Sequence, residues 1–113
     1  MIDAVIGGRL RGSVTVRTSE SGHTFAAWRM SATDKRGDGV LCACIAFSES
    51  VIRTMQAMND GDALAVSGEL AISQWADRNT GEPRIGLDVT AHQVLSAYHQ
   101  GRKRKAQEAG PNA

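Results

Sequence analysis

Two runs of alternating side chains, separated by a turn, constrain this chain more than any other feature of it. Within residues 61–91, Leu64, Val66, Leu70 and Ile72 repeat at period two, with Ala65, Ser67, Glu69, Ala71 and Ser73 between them. That is the pattern of a strand buried on one face. Asp77-Arg78-Asn79-Thr80-Gly81-Glu82-Pro83 follows as a dense set of turn formers, and then Ile85, Leu87, Val89 and Ala91 again share a face. The spacing predicts a long β-hairpin. Trp75 has the parity of Ser67, Glu69 and Ser73, so its indole is expected to point away from the core, near the base of a projecting arm with Arg78 and Arg84 nearby.

The chain before the hairpin divides by the same rules. Residues 2–12 alternate, with Ala4, Ile6 and Leu10 on one face and Val5, Arg9 and Arg11 on the other. This predicts a first strand, whose glycines at 7, 8 and 12 suit a sharp bend or a bulge. A polar loop over residues 18–23 leads into a second strand over residues 24–32, where Ala26, Trp28 and Met30 oppose Phe25, Ala27 and Arg29. Trp28 goes with the apolar set and is expected in the core or at a subunit contact. Residues 34–39 form a turn-rich connection, and residues 40–47 form a third strand so apolar that burial on both faces is expected, in a barrel or at a subunit interface. Ser48 is placed as a helix N-cap with Glu49 in the first turn. Val51, Ile52, Met55 and Met58 recur at helical spacing, and Gly61 is a candidate C′ residue. The order is three strands, one helix and two strands, all in one domain.

Gly61, Leu64, Val66, Gly68 and Leu70, followed by Trp75, Asp77, Gly81 and Arg84, resemble the closing half of the bacterial single-stranded DNA-binding proteins. Gly8-Arg9-Leu10, Val16-Arg17 and Gly22 are similar to that family's opening strand and loop, and Phe47 stands where its third strand carries phenylalanine. The resemblance covers roughly residues 1–96. It implies an all-β, five-stranded OB-fold barrel over residues 1–100, with the helix between strands three and four and the long hairpin between strands four and five. It also implies a non-enzymatic protein that binds single-stranded DNA with little sequence preference, in replication, recombination or repair, as a homodimer or homotetramer. The residues expected to touch DNA by stacking or arginine–phosphate contact are Arg9, Arg11, Phe25, Arg29, Phe47, Trp75, Arg78 and Arg84.

Several family features are missing. Leu41 and Ala43 replace a tryptophan and a basic residue of the third strand, Asp60 replaces a lysine before the fourth, and Ala71, Ser73 and Gln74 replace basic residues ahead of Trp75. The last residues, 107–113, hold a single acid, so recruitment of repair partners through an acidic tip is not supported. An alternative reading follows: an OB-fold protein-interaction module, related to the primosomal replication protein N group, with weak or no DNA binding.

Charge sharpens that choice. The formal net charge is +1, but Arg102, Lys103, Arg104 and Lys105 concentrate four cations in the tail. Residues 1–100 therefore carry nine Lys and Arg against eleven Asp and Glu, a balance of −2. Attraction to phosphates must then come from local arginines, the tail and stacking. Residues 101–113 read as a basic, disordered tail, either a DNA-contacting arm or a solubilising segment. Cys42 and Cys44 lie two apart in a strand, share a face and read as small core residues, with no metal site or other cofactor expected. Asp77, Glu82 and Asp88 read as solvated carboxylates, and His23, His92 and His99 are scattered, so no catalytic set emerges. No apolar run reaches the length of a membrane span or signal peptide, and a cytoplasmic location is expected.

Overall fold

The computed structural model describes residues 1–96. Its elements are β1 (Ile2–Thr18), β2 (Thr24–Thr33), β3 (Gly39–Ala46), α1 (Glu49–Gln56), β4 (Ala63–Ala76) and β5 (Pro83–Ser96). The five strands close into a barrel in the order β1-β2-β3-β5-β4, antiparallel except for the β3–β5 pair. The fold is the all-β OB barrel expected, with α1 between β3 and β4. The proposed tail at residues 101–113 and the last four residues of the expected domain lie outside the described residues.

Alternation builds the core. Even-numbered side chains of the first four strands turn inward: Leu10, Met30, Cys42, Leu64 and Val66 are buried, together with Val51, Ile52 and Met55 of α1. Each fully buried aliphatic side chain contributes about 1.5–3 kcal/mol relative to exposure, so the barrel and its helix share one continuous apolar seat. Trp28 joins this core at 3% exposure, as its parity predicts. Burial also pushes the Cys44 thiol up to about 12, helped by neighbouring Cys42, which is itself raised by burial. Both remain protonated core thiols.

The first strand runs further than expected. It continues past Gly12 to Thr18, and the register with β2 shifts between Arg11 and Thr15. Gly12 takes φ 77°, a conformation that favours glycine, at this shift. Gly8 is needed for a different reason: a Cβ there would run into the Ser31 carbonyl of β2, whereas one at Gly7 would meet open space. Thus two of the three glycines have structural work, a bulge and a close approach, and Gly7 has neither.

The barrel itself does not bury the third strand on both faces. Cys42, Cys44 and Ala46 are buried, but Leu41, Ala43 and Phe47 are exposed, because the odd face looks out of the barrel. Two other expectations need correction. Gly61 is not the helix C′ residue: α1 ends at Gln56 with Ala57 as C-cap, and Gly61 takes φ 88° in the turn leading to β4, its N–H bonded to the Leu10 carbonyl at 2.8 Å. Ser48 does occupy the N-cap, but its hydroxyl makes no capping bond and pairs instead with that of Ser50 at 3.0 Å.

The β4–β5 hairpin outgrows the barrel. β1 pairs with β4 from Ala63 to Leu70, and β3 pairs with β5 from Leu87 to Thr90. Beyond those limits, among the described residues, β4 and β5 have only each other, out to the last pair, Ala76 with Pro83. That two-stranded extension is the arm.

Candidate nucleic-acid interface

Paired strands place directly opposed residues on the same side of a sheet, so the registers define the outer face of the barrel row by row. One row runs Arg11, Arg29, Ala43, Asp88, Ala71 across all five strands. The next runs Thr15, Ala27, Ile45, Thr90, Glu69, and beyond it Arg17 stands opposite Phe25. Phe47 follows Ile45 by two residues and meets Phe25 at a tilt, with ring centroids 6.2 Å apart and planes inclined by 49°. Phe47 is 57% exposed, a ring held in place by its neighbour yet open to a third partner.

The other end of the face is the arm. Trp75 lies opposite Arg84, and its six-membered ring lies over Gly86, where a Cβ would stand only 2.6 Å from Cζ3. The indole remains 46% exposed. It thus leans on its own hairpin through one edge and presents the rest to solvent. The position is the tip of the paired arm, one pair from its end, rather than the base expected from sequence. Arg84 donates from Nε to Asp77 at 3.2 Å, and the same carboxylate accepts the N–H groups of Asn79 at 2.8 Å and Thr80 at 3.2 Å. These two backbone bonds, with Arg84, hold the Asp77 carboxyl below its ordinary range and shape the turn beneath Trp75.

Six of the eight expected contact residues, Arg11, Phe25, Arg29, Phe47, Trp75 and Arg84, share this outer face. Arg78 lies in the turn at the arm tip. Arg9 has the right parity but is spent otherwise: its Nη1 donates to the Gly61 carbonyl at 3.0 Å, tying β1 to the turn before β4. Sequence reasoning missed Arg17, which the structure sets beside Phe25. Its odd parity matches Arg9 and Arg11, and only the premature end given to the first strand hid it. No cluster of side chains suited to a metal ion occurs among the described residues.

No family model and no curated protein matches the sequence. Solved structures do. A small single-stranded DNA-binding protein from Streptomyces coelicolor superposes with a TM-score of 0.68 at 18% identity, over 88% of this chain and 97% of that one. The mitochondrial single-stranded DNA-binding protein Rim1 of S. cerevisiae gives 0.64 at 16% identity, over 85% and 94% of the two chains. This chain has the fold of the single-stranded DNA-binding proteins. A Plasmodium falciparum relative of that fold, solved with single-stranded DNA, matches at 0.60 with 9% identity, over 85% of this chain and 94% of that one. At these identities the likeness reaches the fold alone, while the side chains on the outer face are this chain's own.

Proposed function

We propose that this protein binds single-stranded DNA with little overall sequence preference, as a non-enzymatic, cytoplasmic component of replication, recombination or repair. The observation that carries the reading is the composition of one outer face: a phenylalanine pair at one end, a half-exposed tryptophan at the other, and Arg11 and Arg29 side by side between them. OB barrels engage oligonucleotides through the strand 2–3 face and its flanking loops, which is where these residues lie. Aromatic rings accept any base, since every base has a π face, and the arginines supply phosphate contacts that an otherwise slightly acidic body lacks. Similar folds that bind single strands add weight.

The test is a titration with an oligonucleotide of about 30 nucleotides at two salt concentrations, comparing the protein with Trp75→Ala. Stacking on one indole is worth about 1–3 kcal/mol, so the substitution should weaken binding roughly 5- to 150-fold. Thermal stability should stay nearly unchanged, because Trp75 lies on the arm. No binding at either salt would discard the reading. It would then favour the protein-interaction module, for which the exposed Ile72 and Ile85 on the arm's opposite face speak.

We further propose a homodimer or homotetramer. Among the described residues, β1 pairs with β2 only from Arg9 onward, so the edge of residues 2–7 that faces away from β4 has no strand paired with it. A second copy would satisfy those backbone groups.

A further inference from the structure

The row Arg29, Ala43, Asp88, Ala71 holds a carboxylate in the middle of a surface otherwise suited to a polyanion. Asp88 is exposed, and among the described residues it has no ion pair. Of the other carboxylates on this side of the barrel, Asp77 pairs with Arg84 and Glu69 lies 3.6 Å from His92 Nε2, while Asp3, opposite Glu69 on β1, stands outside the row of Asp88. Arg29 stands two strands from Asp88, about 10 Å at the usual strand spacing, too far to neutralise it. Facing a phosphate, such a group would only repel.

The surface around it is hollow. Ala43 and Ala71 flank Asp88 on the neighbouring strands, and around them lies a depression of about 380 Å³, lined also by Met1, Ile2, Ile45, Glu69 and Thr90. It spans three strands, about 10 Å from β3 to β4, wide enough for a pyrimidine ring laid against Ile45 and Ala43. Its polar inventory is selective. A carboxylate only accepts hydrogen bonds, and the Thr90 hydroxyl beside it both donates and accepts. Cytosine offers the N4 amino group as donor, whereas thymine offers O4, an acceptor, at the same place.

We propose that Asp88 is a specificity-determining residue: the depression takes an unpaired base by its amino edge, with cytosine favoured over thymine at this one position. The inference rests on the proposed binding of single strands and refines it, since stacking elsewhere remains indifferent to sequence. The amino group of cytosine donates to the Asp88 carboxylate, while thymine would set O4 against it, lone pair to lone pair. Both effects act in the same direction.

The experiment compares dC30 and dT30 by anisotropy titration at pH 8, with the protein, Asp88→Ala and Asp88→Asn. The ratio of dC30 to dT30 affinity in the protein should exceed that in Asp88→Ala by about fivefold or more, the lower end of a good base contact. Asp88→Asn, which adds an amide donor suited to thymine O4, should move the ratio further toward dT30. If Asp88 merely repels phosphates, its removal strengthens both oligonucleotides equally, the ratio stays put, and the inference is overturned while single-strand binding stands. Absence of binding to either oligonucleotide by all three proteins overturns the functional reading and this inference together.

Discussion

Gly86 lies beneath the Trp75 indole, and the two residues form one device. A methyl group at position 86 would meet the far end of that ring, 2.6 Å from Cζ3 and 3.0 Å from Cη2, so the ring and not the backbone must yield. Gly86→Ala should lift the indole off the arm: Trp75 emission in a Trp28→Phe background shifts to the red, single-strand affinity falls by less than in Trp75→Ala, and the melting temperature holds. A lower melting temperature with unchanged emission would mean that the strand had moved instead. Asp77 gives the same tip a pH signature. Its carboxyl is lowered by bonds from Asn79 and Thr80, then by Arg84, so the charged form is preferred in the folded turn. The order it lends is complete above the ordinary carboxylate value of 3.8 and is lost only as the pH falls below that toward the depressed value. Amide exchange at Asn79 and Thr80 should therefore be constant in protection from pH 7 to 5 and loosen below 4; loosening near pH 6 would contradict this origin. Parity alone located Phe25, Trp28 and Trp75, because alternation is a local property. The tie of Arg9 to Gly61 was not legible, since its partner is 52 residues away. Asp88 read as an ordinary solvated acid because nothing local reveals that alanines flank it on both sides.

Strand order could be read from the chain, but burial of a strand depends on neighbours that the strand itself does not name. The third strand shows this: its residues are nearly all apolar, yet only Cys42, Cys44 and Ala46 face the core. The bulge in the closing hairpin is a second case. Register shifts between Ser67, opposite Gln93, and Gly68, opposite Ala91, so His92 is the extra residue and inward parity changes after it. Ala91 is buried on one side of the shift and Ser96 on the other. Gly68 permits this crowding, since a Cβ there would collide with the Thr90 carbonyl and crowd Ala91 Cα at 3.0 Å. Both obstacles are backbone and cannot swing aside. Gly68→Ala should cost about 1–3 kcal/mol in denaturant unfolding, the usual penalty for overpacking, while Gly7→Ala, which meets nothing within 4 Å, should stay within about 0.5 kcal/mol. Equal effects at the two sites would show that chain entropy, not close approach, sets the requirement for glycine.

For the whole molecule the proposed contact with another copy makes the sharpest test. Val5 is 77% exposed and Ile2 50%, both on the half of β1 whose outer edge has no partner strand among the described residues. Light scattering at micromolar concentration should return a multiple of the 12.0 kDa chain mass; a 12.0 kDa particle throughout would remove the oligomeric proposal. That same half of β1 shapes the birth of the protein. Ile2 pairs with Leu70 and Arg9 with Ala63, so residues 2–9 are translated well before the strand that completes them. At about 5–20 residues per second, translation leaves Ile2, Val5 and Ile6 waiting several seconds for β4. Until then they form an apolar segment with two open edges, and the ribosome, or whatever guards its exit, must shelter that segment until its hairpin arrives.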